Sequence, residues 1–257
     1  MTADHSAAVG GLPPGTRLGR YRILQRLALG GMAELYLARH EAEAGFTKVV
    51  ALKRVLPHLA EDPEFVGMFL NEAKLASGLE HPNIASVTDF GRVDRDYFMV
   101  LECVHGRGVN ELLRAASRAG GVPLDCALTI VVAVASALHH AHQATDEGGL
   151  ALGLVHRDVS PQNILVGTDG VARLIDFGVS KAVSQIHTTR EGQLRGKLAY
   201  MAPEQIRQGK IDRQTDIFAA SVVLWQCLAN RRLFEASNDG ELIYQLLEAP
   251  ISPPSLH

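Results

Sequence analysis

The sequence is poor in cysteine, with three in 257 residues: Cys103, Cys126 and Cys227. Odd in number, scattered and set in apolar runs, they exclude a disulfide framework and read as thiols kept in a reducing compartment. No Cys/His spacing of a zinc site occurs. A basic excess is also missing: 25 Lys and Arg stand against 28 Asp and Glu, a net charge of -3. That balance lacks the polycationic surface used to hold nucleic acid or an anionic membrane. The start, MTADHSAAVGGLPPGTRLGR, has no apolar signal-peptide core. Small, polar and rich in Gly and Pro, residues 1–20 are expected to form a flexible leader. Long hydrophobic runs are lacking too. ALTIVVAVASAL (127–138) and IFAASVVLWQCLA (217–229) fall short of the roughly 20 residues that span a bilayer as a helix, and they read as buried core helices. The expectation is a cytoplasmic protein with no nucleic-acid partner and no membrane segment in this chain.

What is there is an ordinary globular composition, 47% hydrophobic and 21% charged, without internal repeats or low-complexity blocks. From residue 21 to about 56 the chain is strand-like: YRILQRLA, AELYLARH and KVVALKRVL are short apolar or alternating runs. PEFVGMFLNEAKLASGLE then carries Phe65, Met68, Phe69, Glu72 and Leu75 near one helical face, which turns Glu72 toward the apolar side. HPNIASVTDFGR and DYFMVLECV read as two more strands. Beyond about 108 the texture is helical, with an amphipathic GVNELLRAASRAG and a nearly apolar DCALTIVVAVASALHHAHQA. The strands ILVG and VARLIDFG follow, then helices at about 203–208, 214–229 and 239–248. The fold class expected is α+β: a small β-rich lobe with one helix (about 21–104) and a larger helical lobe (about 105–257).

Four stretches carry chemistry. In LALGGMAELYLA (27–38), Gly30-Gly31 joins two strands; it serves either as a plain hairpin turn or as a place where backbone N–H groups face phosphate oxygens. In VVALK, Lys53 sits among apolar neighbours and needs an anion, which Glu72 can supply; a snorkelling lysine beside a surface glutamate is the alternative. In HRDVSPQN, Asp158 can take the proton of an attacking hydroxyl, and Asn163 is an oxygen ligand suited to a hard cation. In LIDFG, Asp176 is a carboxylate for Mg²⁺, and Gly178 lets the chain turn away.

In this order and spacing these stretches resemble the protein kinase family, of the bacterial serine/threonine type, over residues 21 to about 250. The resemblance implies a two-lobed fold with ATP and Mg²⁺ (Mn²⁺ as a substitute) in its cleft and Ser/Thr-bearing proteins as partners. It further implies that Lys53 holds the α/β-phosphates, Glu72 orients Lys53, Asp158 is the base, and Asn163 and Asp176 hold the metal. Leu27, Gly30 and Gly31 would cover the phosphates. Leu35, Ala51, Leu101 and Leu165 would enclose adenine, and Glu102 and Val104 would offer it hinge backbone groups. Glu204 and Asp216 would be structural. Pro161 and GKLAYMAPE match the Ser/Thr type. Ser184, Thr188 and Thr189 are candidates for autophosphorylation within 180–195, and Arg157 beside the base suggests control by a phosphate.

The chain departs from the family pattern. Ala28 and Ala33 stand where the outer glycines of the phosphate loop would be. Ser160 replaces the lysine two residues after the base, and Lys197 stands in RGKLAYMAPE where the family has threonine. The two side chains would face each other with their sides exchanged, which predicts that Lys197 projects its ammonium back toward Asp158 and the γ-phosphate, in the role of the missing lysine; a solvent-facing Lys197 and a crippled site is the alternative. The chain stops at SPPSLH, where kinase domains continue into further helices, one of which supplies an arginine for Glu204. A fragment of a longer protein is the expectation. Two other readings accompany the active kinase: an ATP-binding pseudokinase that works as a regulatory module, and a small-molecule phosphotransferase of related fold, against which the intact Ala202-Pro203-Glu204 stands.

Overall fold

In a computed structural model the described residues are 11–42, 45–177 and 196–256. The chain divides into two compact units, one of residues 1–77 and 86–103 and the other of residues 78–85 and 104–257.

The first unit is a six-stranded sheet with one helix. Its strands are β1 (Arg17–Leu18), β2 (Tyr21–Leu29), β3 (Ala33–Glu41), β4 (Thr47–Val55), β5 (Val87–Val93) and β6 (Asp96–Glu102), in the order β1-β2-β3-β4-β6-β5. All neighbouring pairs are antiparallel. Period-2 alternation sorts the side chains into two faces. Cross-strand partners Leu35, Lys53 and Met99, and beside them Leu37, Ala51 and Leu101, share one face. Ile23, Tyr36, Ala38, Leu52, Phe98 and Val100 form a buried cluster on the other. Helix α1 (Pro63–Ser77) opens on Asp62, whose carboxylate accepts from the N–H groups of Glu64 and Phe65. It turns Phe65, Phe69, Ala73 and Ala76 inward.

Of the expected leader 1–20, residues 1–10 lie outside the described residues. Residues 11–20 lie on the sheet: β1 pairs with β2, Gly15 N–H donates to Ile23, and Leu12 N–H donates to the Tyr36 hydroxyl at 2.7 Å. Leu18 is buried in the cluster and Leu12 packs against it. These two leucines outweigh the local Gly/Pro character, and Gly19, at φ 57°, makes the turn between β1 and β2 that a residue with a Cβ resists.

The second unit is mainly helical. It holds α2 (Val109–Ala116), α3 (Leu124–His142), α4 (Pro203–Ile206), α5 (Arg213–Ala229) and α6 (Asp239–Glu248), with a three-stranded sheet β7-β8-β9 of Gly106–Gly108, Ile164–Gly167 and Ala172–Leu174. Its core joins Ile130, Val134, Ala137 and Leu138 of α3 to Ala219, Val223 and Cys227 of α5 and to Ile164 and Leu174 of the sheet. The expected apolar run at 127–138 extends by a turn at each end into 19 residues, so α3 is long and apolar enough to cross a membrane by length and composition alone; here its inner face is core. The strand expected over HPNIASVTDFGR is confined to Val87–Val93, because Leu79 and Ile84 belong to the core of the second unit. The strand expected over VARLIDFG likewise stops at Leu174.

Candidate active site

The loop from His156 to Asn163 is held from beneath by Asp216, whose carboxylate is 1% exposed near the start of α5. One carboxylate oxygen accepts from His156 N–H at 2.8 Å, the other from Arg157 N–H at 2.7 Å. His142, at the end of α3, places Nε2 2.7 Å from the first oxygen. A buried carboxylate with three hydrogen bonds is satisfied, and it fixes the backbone just before Asp158. On the other side Gln205 of α4 donates to the Arg157 carbonyl at 3.0 Å, while its own carbonyl accepts from Ala202 N–H. Between these two grips Arg157 sits at φ 67°, a left-handed conformation sustained only where surroundings determine it. The buried His156 ring lies edge-on against Phe177 at 4.6 Å between centroids, and its Nε2 is 2.9 Å from the Ile175 carbonyl. The two expected motifs, 156–163 and 174–177, are thereby locked together.

Asp158 is the half-buried centre of the loop. Asn163 Nδ2 donates to its backbone carbonyl at 2.7 Å and to Oδ2 at 3.0 Å. Lys197 Nζ lies 2.6 Å from the same Oδ2. The structure thus brings together Asp158, Asn163 and Lys197, while Ser160 is buried in the loop, 4% exposed, its carbonyl accepting from Asn163 N–H. Asp176 sits at φ 61°, a left-handed conformation that costs a non-glycine residue energy. Asn163 and Asp176 fit a hard cation. The Asn163 nitrogen is spent on Asp158, which leaves its amide oxygen as the group for a metal, and Mg²⁺ is commonly held by one or two such protein oxygens plus substrate phosphates. Among the described residues no cluster of three or more His, Cys, Asp or Glu offers a metal site. Leu165 is half-buried on β8, and Val104 begins the longer segment of the second unit.

In the first unit, Leu35, Ala51 and Lys53 are half-buried and line one sheet face with buried Leu101. Glu102 closes β6, and Glu72 is half-buried on α1. Leu27, Gly30 and Gly31 are exposed at the β2–β3 turn, which Gly30 N–H closes onto the Ala33 carbonyl at 2.9 Å. Gly178 and the candidate acceptors Ser184, Thr188 and Thr189 lie outside the described residues.

Sequence reasoning missed two sets of residues. His142 and Gln205 position the loop, and neither stands in a chemically telling spacing. Glu34 is buried with Tyr36 and Arg54: the Tyr36 hydroxyl donates to it at 2.7 Å, Arg54 at 2.9 Å, and Arg54 also grips Asp96 at 2.6 Å. Strand alternation, which puts Glu34 on the Tyr36 face, was the available signal. Glu204, expected to lack an arginine partner, accepts from the buried Thr215 hydroxyl at 2.6 Å.

A half-buried carboxylate held by an amide and faced by an ammonium is an arrangement that phosphoryl transfer can use. Comparison with known proteins supplies the family: residues 21–252 match the protein kinase domain, and the chain belongs to the protein kinase family, whose members use ATP and a divalent metal and act on proteins. Tyrosine-protein kinase MasK of Myxococcus xanthus (strain DK1622) is 41% identical over 237 residues, 92% of this chain and 37% of MasK. Serine/threonine-protein kinase PrkC of Bacillus subtilis (strain 168) is 36% identical over 231 residues, 90% of this chain and 34% of PrkC. The chain therefore spans little more than a third of these relatives. The crystal structure of the M. tuberculosis PknI kinase domain superposes with a TM-score of 0.67 at 29% identity, covering 90% of this chain and 80% of that one.

Proposed function

We propose that this protein transfers the γ-phosphoryl group of Mg²⁺-ATP to Ser/Thr hydroxyls of proteins in the cytoplasm, and autophosphorylates within 180–195. The observation that carries the proposal is Asp158, its carboxylate aimed by Asn163 and faced by Lys197. On this reading the acceptor hydroxyl gives its proton to Asp158 as its oxygen bonds to the γ-phosphorus. The bond from that phosphorus to the β,γ-bridging oxygen breaks, and its electron pair leaves with ADP. Asn163 and Asp176 would hold Mg²⁺, which when bound would offset phosphate charge. Lys53, oriented by Glu72, holds the α/β-phosphates. Leu27, Gly30 and Gly31 lie over them. The resemblance gives Leu35, Ala51 and Leu101 of the first unit and Leu165 of the second to adenine, with backbone groups of Glu102 and Val104 as its hydrogen-bonding partners.

The acceptor class rests on Pro161 and on Gly196–Glu204, which resemble the Ser/Thr type; the name of MasK states the opposite class for that protein. A second reading, an ATP-binding module without transfer, draws on Ala28, Ala33 and Ser160. Incubation with labelled ATP and Mg²⁺, with Mn²⁺ in parallel, tests all of this beside the Asp158→Ala variant. Label on phosphoserine or phosphothreonine that falls at least about 10²-fold in Asp158→Ala is expected. Label on phosphotyrosine overturns the acceptor class. ATP bound without transfer supports the module.

A further inference from the structure

We infer that Lys197, carried by the segment before α4, supplies the cation that stabilises the transferring phosphoryl group, and that this chain thereby replaces a charge its catalytic loop lacks. The inference rests on the proposed phosphoryl transfer. Between Asp158 and Asn163 the loop reads Val159, Ser160, Pro161, Gln162, without a charge, and the first three of these are buried. The γ-phosphoryl group nevertheless spreads negative charge over three oxygens as it moves, and a preorganised cation there is among the largest contributions a site can make.

Lys197 has the geometry for it. Its ammonium lies 2.6 Å from Asp158 Oδ2, the oxygen that also accepts from Asn163 at 3.0 Å. Both donors fall on Oδ2, so Oδ1 is the oxygen placed to take the proton of an incoming hydroxyl. An ammonium has three N–H donors. Among the described residues one is engaged, by Asp158, and the side chain is 40% exposed, so two donors remain for a phosphoryl group arriving beside the base. The segment is well anchored. Leu198 and Ala199, directly after the lysine, are buried with Val222 of α5 and Leu242 and Leu246 of α6, Tyr200 N–H closes a turn onto the Lys197 carbonyl at 3.0 Å, and the Tyr200 hydroxyl bonds Gln226 of α5. A lysine whose neighbours are packed pays little extra ordering entropy when it meets substrate.

Lys197→Met and Lys197→Arg, assayed for steady-state phosphorylation of a Ser/Thr-containing basic protein with Mg²⁺-ATP, test the assignment. For Lys197→Met, kcat is expected to fall by about 10²-fold or more, with KM for ATP within about threefold. Lys197→Arg, which keeps the charge, is expected to retain at least about a tenth of kcat. A Met variant above about a third of the normal kcat overturns the inference, as does an Arg variant no better than Met. A second measurement needs no variant: amine acylation of the unsubstituted protein, read by peptide mass, with and without Mg²⁺ and a non-hydrolysable ATP analogue. Lys197 labelling is expected to drop several-fold while exposed Lys210 is unchanged; equal Lys197 labelling in both conditions shows a structural ion pair only and overturns the phosphoryl role. An unsubstituted protein without Asp158-dependent transfer overturns the proposed function itself, and this inference with it.

Discussion

At the scale of single residues, the sequence disclosed chemistry more readily than support. Asp158, Asn163 and Lys53 stand in spacings that carried the family resemblance, and the reach of Lys197 toward Asp158 was legible because its place and that of Ser160 depart from one pattern in complementary ways. Glu34 was only half legible: alternation puts it on the Tyr36 face, but a glutamate in a strand reads as solvent-facing until Arg54, on the adjacent strand and 20 positions away, is known to be its cross-strand partner. Arg54 is 8% exposed and Glu34 4%. Buried pairs add little net stability over apolar replacements, but breaking one by removing a single partner leaves a charge without compensation. Arg54→Ala strips Glu34 and Asp96 of that guanidinium together. The expected cost is about 3–5 kcal/mol, read from chemical denaturation, with Arg26, 43% exposed at 3.2 Å from Glu34, too solvated to make it good. A loss under about 1 kcal/mol means that water reaches Glu34 in the variant.

At the scale of elements, periodicity located most strands and helices, and tertiary contacts moved their ends. Alternation in β3 and β4 was visible in the sequence because one face of that sheet is buried and the other half-open. The ends of β5 and β9 were not visible, because Ile84 and Leu174 bridge to each other in the second unit, a pairing between residues 90 apart. The β7–β8 pairing is similarly remote, and it explains a glycine the sequence left unremarked. Gly106 lies opposite Gly167, and a Cβ on Gly106 would stand 2.0 Å from the Val166 carbonyl oxygen and 2.7 Å from Gly167 Cα. Those are backbone atoms, so no side-chain rotation relieves the clash. Gly106→Ala is therefore expected to part the strands and to cost about 1–3 kcal/mol, as overpacking does. Gly120→Ala, strained at φ 93° but with nothing within 4 Å of a Cβ, is expected to cost about 1 kcal/mol, the penalty of a left-handed conformation alone. Equal melting shifts for the two variants would show that strand β7 yields freely.

At the scale of the whole molecule, each unit has its own core, and each is pinned at its surface by carboxylates held below their ordinary range. In the first unit burial alone would raise the Asp89 carboxyl, but hydrogen bonds from the Tyr21 hydroxyl and the Arg20 guanidinium outweigh it and lower it. In the second, the Arg173 guanidinium and then the Val171 N–H hold Asp169 down to about 2, and the Ser237 hydroxyl and N–H lower Glu241. A carboxyl whose folded pKa is depressed binds its proton more weakly in the folded state. Its stabilisation is complete above the unfolded value, near 4, and disappears as pH falls through the folded value. The melting temperature is therefore expected to be nearly level from pH 7 to about 5 and to fall between about 4 and 2, the window set by Asp169. Asp89→Asn separates this linkage from general acid repulsion. The variant lacks the titrating group, so it should be less stable than the parent at pH 7, and the gap should close as pH drops below the carboxylate range, where Asp89 is itself neutral. The same comparison at high salt should leave the Asp89 gap largely in place, since that group is half-buried, and shrink the effect of Asp169→Asn, whose carboxylate is exposed and screened. A gap for Asp89→Asn that stays constant from pH 7 to pH 2 would mean that Tyr21 and Arg20 hold the neutral and charged carboxyl equally well, and that the acid sensitivity of this protein lies elsewhere.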